Sequence, residues 1–548
     1  MNTDQKSNTA WFESFKQSEP YSKLKQNPIA YFCAEFALVE NLPSYAGGLG
    51  ILAGDYVLET AEQDFPLVGI GLYYQKSQNN QNETSEPDGK KFTLELLKSG
   101  PDKLLITIPI EDRDVQAQVW KWQKKNSCVY FLDTNINENT PTDRLITEQL
   151  YAEDREIRLK QELILGIGGV RLLQKLQIFP SVYHLNEGHS AFLIIELLGQ
   201  EVKNGLNIGE AFTKIKERLI FTNHTLVLEG QEMFTPEALT RNTRKLCQEL
   251  NLDILNIIEK GRAKSEDNMF SMTTLALNSA RLTNAVSRIH GEKARELWSQ
   301  YPIIHITNGI FIPRWDRIKS EDIVAEHMKN EENLLKIIRQ THGEHWKKEA
   351  LLVGWSRRFV PYKRPLALLE DVSKLEEILK LFKNKIHFVY SAPLDDNDVN
   401  KNEFLKKIAE LMNGELKGFL TFIPHYNIKV AEAMVAGCDV WLNTPIVGRE
   451  ACGTSGMKAA LNGTIPVSTN DGWVCEIPLN DFGWLINDQN ITTDLLEKLK
   501  NEIIPTYETF LHNKLSSDWL DKMKKSRNLI LTDFSTARML REYIEKMY

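Results

Sequence analysis

Cysteine is scarce in this chain: Cys33, Cys128, Cys247, Cys438, Cys452 and Cys475 are the only 6 among 548 residues, and none forms a CxxC pair. That density cannot staple a fold and points to a reducing compartment. No apolar run approaches the ~18–20 residues that span a bilayer, and the opening residues, rich in Lys, Gln and Ser, lack a signal-peptide core. Positive charge is not in excess either: 66 Lys+Arg against 74 Asp+Glu gives −8, which argues against a nucleic-acid footprint. What is present is a 42% hydrophobic content over 548 residues, enough for large cores and inconsistent with disorder. The expectation is a soluble cytoplasmic protein of two to four domains at roughly 100–200 residues each, with no nucleic-acid or membrane partner.

After a polar leader to about Pro28, the runs IAYFCAEF, FPLVGIGLYY, KLLITIPI, VQAQVWKW and CVYFLDT read as strands. The segment QKSQNNQNETSEPDGKK (75–91) reads as a surface loop. Helical periodicity appears over 143–175, strands SVYHL and LIFTNHT follow, and 272–298 reads as one long helical segment leading to the strand IIHITNG. The charged, Trp-containing stretch to about Glu349 reads as a domain crossover. A second alternation of strand and helix then begins at LLVGWS and runs to TIPVST. This pattern predicts two doubly wound α/β units with a ligand cleft at strand carboxyl ends. The expected division is a leader (1–28), an N-terminal domain (29–330), a C-terminal domain (331–518) and a final helical stretch (519–548) able to pack back on the N-terminal domain.

Several segments could carry chemistry. Arg357, Arg358, Lys363 and Arg364 lie in GWSRRFVPYKRP between a strand and a helix that Pro365 could open, a place where anions bind, although a solvated basic turn has the same composition. GREACGTSGMKAALNG places the small-residue turn Gly453-Thr454-Ser455-Gly456 ahead of Lys458, which could form a Schiff base with a phosphate-bearing aldehyde cofactor. It is not a Walker loop. His189 in HLNEGHSAF and His224 in FTNHT follow strands, where a functional and a structural histidine are equally common. SYAGGLGILAGDY departs from GxGxxG and reads as a tight loop that a ligand could approach closely. No metal site is expected: His342 and His345 lack the HExxH frame and a third ligand.

Taken together, the strings YFCAEFALVENLPSYAGGLGILAGD, QLYAEDREIRLKQELILGIGGVR, HLNEGHSAF, FTNHT, HITNGI, RRFVPYKR and EACGTSGMKAALNG resemble, in order across 28–475, the α-glucan (glycogen, starch or maltodextrin) phosphorylases of the short bacterial type. The resemblance implies two facing Rossmann-like domains, the GT-B arrangement, with the active site in the interdomain cleft. It implies retaining phosphorolysis of α-1,4-glucans to α-D-glucose 1-phosphate, with pyridoxal 5'-phosphate bound as a Schiff base to Lys458 and acting through its phosphate as acid and base. By the same resemblance Arg358 and Lys363 hold substrate phosphate, Arg357, Gly453, Thr454 and Tyr426 contact the cofactor, and His224 faces the glucosyl unit. Gly47, Gly48, Leu49, Asn308 and Glu450 match sugar- or phosphate-contacting positions, as do Glu187 and His189 near the cleft. Cys452 stands where many relatives carry serine, which puts one side-chain hydrogen bond in question. The polar 74–92 segment departs from the aromatic, glutamine-rich stretch of bacterial relatives, so acceptor preference is expected to differ.

One alternative is a nucleotide-sugar-dependent α-glucan synthase of the same architecture, and another is a non-catalytic glucan-binding protein. Ala46 rather than lysine before Gly47-Gly48, and Lys458 rather than glutamate eight residues after Glu450, favour the phosphorylase. The presence of His224, Arg358, Lys363 and Lys458 speaks against a decayed site. Where such a chain self-associates, a homodimer is the commonest arrangement.

Overall fold

In a computed structural model, all residues are described except 1–2, 40–41, 78–79, 85–93, 228–229, 264–267, 344–345, 383–384, 395–399 and 514–516. The chain divides into two compact units, each assembled from separate stretches. One comprises Ser7–Val286, Gly291–Ile306 and Leu540–Tyr548, the other Met1–Lys6, Ser287–His290 and Thr307–Met539.

The first unit is built on β1 (Ile29–Phe32), β2 (Leu67–Leu72), β3 (Leu105–Ile110), β4 (Arg113–Lys124), β5 (Ser127–Asp133), β6 (Val182–Asn186), β7 (Leu219–Thr222), β8 (Leu282–Ala285) and β9 (Ile303–His305). Its parallel strands run in the order β5-β2-β1-β6-β7-β8-β9, and an antiparallel margin of β4, β3 and the two-residue strand Glu95–Leu96 extends the β5 side. β1 aligns Ile29 with Val182 on one neighbour and with Leu67 on the other, so the chain reverses its direction of sheet growth between β1 and β6. β1, β2, β6 and β7 are buried throughout, as strands covered on both faces must be.

The second unit holds β10 (Leu351–Ser356), β11 (Ile386–Ser391), β12 (Leu420–Ile423), β13 (Val440–Asn443), β14 (Ile465–Ser468) and β15 (Trp484–Leu485), all parallel, in the order β12-β11-β10-β13-β14-β15. Counted from its first strand, this is the 3-2-1-4-5-6 order of a doubly wound sheet, and the parallel strands of the other unit follow it too. Each sheet has its own core, one around Phe32, Ile70 and Leu185, the other around Val353, Phe388 and Val467.

Several sequence expectations are corrected. The 272–298 segment is not one helix: Met272–Ser279 and Arg288–Leu297 flank β8, whose polar Asn284 is held by Thr222 Oγ1 at 2.6 Å and Tyr543 Oη at 2.9 Å. The polar leader contains helices Thr3–Phe15 and Glu19–Gln26, the second capped by Ser18. The charged stretch before Glu349 holds the helix Ile323–His342, which lies within the second unit and whose Asn330 packs so closely on Gly437 that a Cβ on Gly437 would lie 2.7 Å from the Asn330 carbonyl oxygen. Pro365 opens no helix, since the next one begins at Val372 behind the cap of Asp371. Within 75–91, Lys76–Ser77 pairs antiparallel with Asn80–Thr84, and residues 78–79 and 85–91 lie outside the described residues. No described helix is long and apolar enough to cross a membrane.

The helix Gly48–Glu62 sits tightly on the segment after β1: a Cβ on Gly54 would stand 2.2 Å from the Ala37 carbonyl oxygen. Gly54→Ala should therefore destabilise this unit by ~1–3 kcal/mol, read as a lowered calorimetric transition temperature.

Candidate active site

The four cations after β10 have separate fates. Arg357 is buried, with its guanidinium 2.7 Å from Glu450 Oε2 and bonded to Asn443 Oδ1. Arg364, at φ 45, donates to the carbonyls of Thr444 at 2.8 Å and Asp488 at 3.1 Å, which braces this turn against the segment after β13. Arg358 is exposed, and Lys363 reaches to 3.9 Å from Glu450. Burial pushes the Glu450 carboxyl up, but the charges of Arg357 and Lys363 outweigh it and hold the group below the usual range. Asp471 fixes this carboxylate's backbone by accepting the Glu450 N–H at 2.9 Å and the Gly472 N–H at 2.9 Å, and burial raises Asp471 to about 6.

The helix terminus missing at Pro365 is supplied by Thr454–Leu461, which follows Gly453 at φ 82. A Cβ on Gly453 would lie 3.4 Å from Glu450 Cγ and 3.5 Å from Arg357 Nη2, so the small-residue turn and the basic turn meet here. Orphan amides of the first helical turn, with the positive end of the dipole, suit an anion at this point. Lys458 is buried one turn into the helix, its Nζ 4.0 Å from the centroid of the Trp315 ring. Asn462 fixes that pairing by donating to the Lys458 carbonyl at 2.8 Å and the Trp315 carbonyl at 2.9 Å. Tyr426 lies just before the helix Ile428–Gly437, and burial lifts its phenol to about 12. The Asn308 carbonyl accepts from Arg538 at 3.2 Å, and Cys452 is buried. A phosphate-bearing aldehyde fits this donor set: a buried primary amine, an aromatic platform, a guanidinium and a helix N-terminus.

In the other unit the predicted residues gather at the carboxyl ends of β1, β6 and β7. Glu187, at φ 71, accepts the His224 N–H at 2.9 Å through Oε2 and the Gly188 N–H at 3.0 Å through Oε1. Burial raises this carboxyl to about 7, against those two bonds. His224 Nε2 lies 2.7 Å from Asn186 Oδ1. The glycine loop is anchored by Glu35, whose Oε2 accepts from Ala46 N–H at 2.7 Å and Gly47 N–H at 3.1 Å, and whose Oε1 takes the Tyr151 hydroxyl. Gly47 and Gly48 have open space beside their α-carbons, and Leu49 follows Gly48 in the first turn of the helix that Gly47 caps. His189 has neighbours of its own: a ring nitrogen lies within 4.8 Å of a carboxylate oxygen of Glu162 and of Glu232, and burial lowers its imidazole to about 3. Arg158 pairs with Glu232, so a guanidinium already supplies the positive charge this group would draw from a cation. His342 is exposed and bonds the Phe422 carbonyl at 2.7 Å, while His345 lies outside the described residues.

Sequence reasoning missed Trp315, Asn186, Glu35 and Asp471. Trp315 follows HITNGI by a few residues, in a stretch whose charge masked it, and Asn186 sits inside a quoted motif but has no titratable group.

Residues 316–483 match the carbohydrate phosphorylase family model. Maltodextrin phosphorylase of Thermococcus litoralis is 32% identical over 98% of this chain and 72% of its own length. The chain belongs to the carbohydrate phosphorylase family. Glycogen phosphorylase of Aquifex aeolicus is 29% identical over 96% of the chain and 87% of the relative, and that of Mycobacterium tuberculosis 29% over 100% and 73%. Membership disfavours the synthase-like and non-catalytic alternatives.

Because the folded state holds the Glu187 proton up to about pH 7 while an unfolded glutamate releases it near its ordinary value, this group's contribution to stability is present at acid pH and is lost as pH rises through 7. Glu187→Gln should flatten that decline, measured by urea unfolding from about pH 5.5 to 8.

Proposed function

We propose that this phosphorylase cleaves α-1,4-glucans with inorganic phosphate, releasing α-D-glucose 1-phosphate with retention, and that it holds pyridoxal 5'-phosphate through Lys458. The observation that carries this reading is the buried Lys458 amine over Trp315, one turn inside a helix that begins beside Arg357. The names of the relatives, which are maltodextrin and glycogen phosphorylases, support the substrate class. When bound, the cofactor supplies a phosphate able to hold and return a proton.

The chain's own residues do the rest in this reading. Arg357, Gly453 and Thr454 receive the cofactor phosphate, with Tyr426 near the ring. Arg358, exposed, and Lys363 hold the substrate phosphate, because two phosphate anions at close range need cations between them. Glu450, kept ionised by Arg357 and Lys363, accepts from sugar hydroxyls, and Asn308 is a second sugar ligand, with Arg538 holding its carbonyl and Cys452 beside them as a further substrate contact. His224 faces the glucosyl unit, Glu187 orders its backbone, and Gly47, Gly48 and Leu49 close on the sugar and phosphate. His189 borders the same subsite. Residues 29–330 bind the glucan and 331–518 the cofactor in this proposal. All six cysteines are free thiols, which supports a cytoplasmic location, and a homodimer is the proposed assembly.

Borohydride reduction followed by peptide mapping should place a pyridoxyl group on Lys458, and Lys458→Ala should lose both label and activity; a label on a different lysine defeats the reading. Arg358→Ala should raise KM for phosphate by roughly tenfold or more while KM for glucan stays within about twofold, in steady-state phosphorolysis.

A further inference from the structure

His224 is held from two sides by consecutive residues at the end of β6. Glu187 takes its backbone N–H, and Asn186, the last residue of β6, meets its ring at 2.7 Å. Asn186 is buried, and its amide has a defined direction because Nδ2 donates to Cys33 Sγ at 3.2 Å. Burial pushes the Cys33 thiol up to about 12, so the group stays a neutral thiol, whose sulfur accepts from Nδ2 in this arrangement. With Nδ2 committed to Cys33, the atom facing the imidazole is a carbonyl oxygen, which accepts and cannot donate. The hydrogen bond therefore requires the proton on Nε2.

Among the described residues, two titratable groups bonded beside this pair have partners of their own. His184, on the same strand, is lowered to about 3 by burial and bonds Tyr548 Oη at 2.9 Å and Thr222 Oγ1 at 2.7 Å. The Glu187 carboxyl is spent on the backbone amides of His224 and Gly188.

We propose that Asn186 is a positioning residue that holds His224 as its Nε2–H tautomer, so that Nδ1 carries the lone pair and can accept a hydrogen bond from a substrate hydroxyl. The inference rests on the reading of His224 as the residue facing the glucosyl unit. It also explains why an uncharged amide at 186 suits the site: a carboxylate there would draw a second proton onto the imidazole and cost the acceptor at Nδ1.

The test uses the full-length chain with 15N-labelled histidine, the His224 signal being assigned by its loss in His224→Ala. The natural protein should show nitrogen shifts of an Nε2–H imidazole. In Asn186→Ala that preference should be lost and kcat should fall by about tenfold with KM for glucan within about twofold. Asn186→Asp, which keeps an acceptor, should retain a proton on Nε2. An Nδ1–H imidazole in the natural protein overturns the proposal even if Asn186→Ala does not fold, and so does an Asn186→Ala protein that is folded by circular dichroism with unchanged tautomer and kcat. His224→Ala separates this from the underlying reading: full activity there defeats the role of His224, whereas lost activity there with unaltered Asn186→Ala kinetics defeats Asn186 alone.

Discussion

The buried Arg357–Glu450 pair is the contact on which the second unit's chemistry depends. It joins the turn after β10 to the segment after β13, the two strands between which that sheet reverses its direction of growth, and it does so with both charges out of water. A buried pair of this kind is poor evidence for stability, since desolvation consumes much of the attraction, yet breaking it leaves an uncompensated charge costing ~3–5 kcal/mol. The arrangement is thus expensive to build and more expensive to disturb. Its product is geometric: Gly453 is pinned beside a guanidinium, and the helix carrying Lys458 starts where an anion finds both. Asp471 and Arg364 extend the same logic by bonding backbone rather than ligand.

In the other unit neutral and acidic acceptors take over the work of cations. Glu35 gathers two amides of the glycine loop, Glu187 gathers those of His224 and Gly188, and Asn186 meets the imidazole. All three lie at or just after the carboxyl ends of β1 and β6, the pair at which this sheet also reverses. A doubly wound sheet leaves a crevice at such a point because the crossovers on either side diverge. The acidic side chains there face backbone N–H groups, so they shape loops more than they bind charge.

The strands legible in the sequence were those with continuous β-branched or aromatic character, such as LLVGWS and IHFVYS, because burial on both faces demands it. β8 was not legible: LTNA carries no such signal, and its place in the sheet depends on Asn284 finding Thr222 and Tyr543, partners distant in sequence. The helices of residues 3–26 were hidden for a similar reason, their few anchors being Phe12 and Tyr21 among polar residues. At the site, residue types with intrinsic reactivity announced themselves: Lys458, His224 and the basic turn. Their supports did not, because Asn186, Glu35 and Asp471 act only through a neighbour that the sequence does not specify. The helix expected at Pro365 shows the converse error, where a correct anion-binding principle was attached to the wrong terminus.

The discontinuity of the first unit bears on how the chain can be made. Tyr543 and Tyr548 bond Thr222, His184 and Tyr56 inside the unit that begins at Ser7, yet they are synthesised after the whole stretch Thr307–Met539. While the ribosome is still working, the sheet of that unit has its strands and the His184–Thr222–Asn284 bonds, but His184 Nδ1 and the Tyr56 hydroxyl lack their partner until Tyr548 has been made. The first unit therefore receives its last aromatic contacts only after the stretch Thr307–Met539 has been made, which departs from folding unit by unit in the order of synthesis.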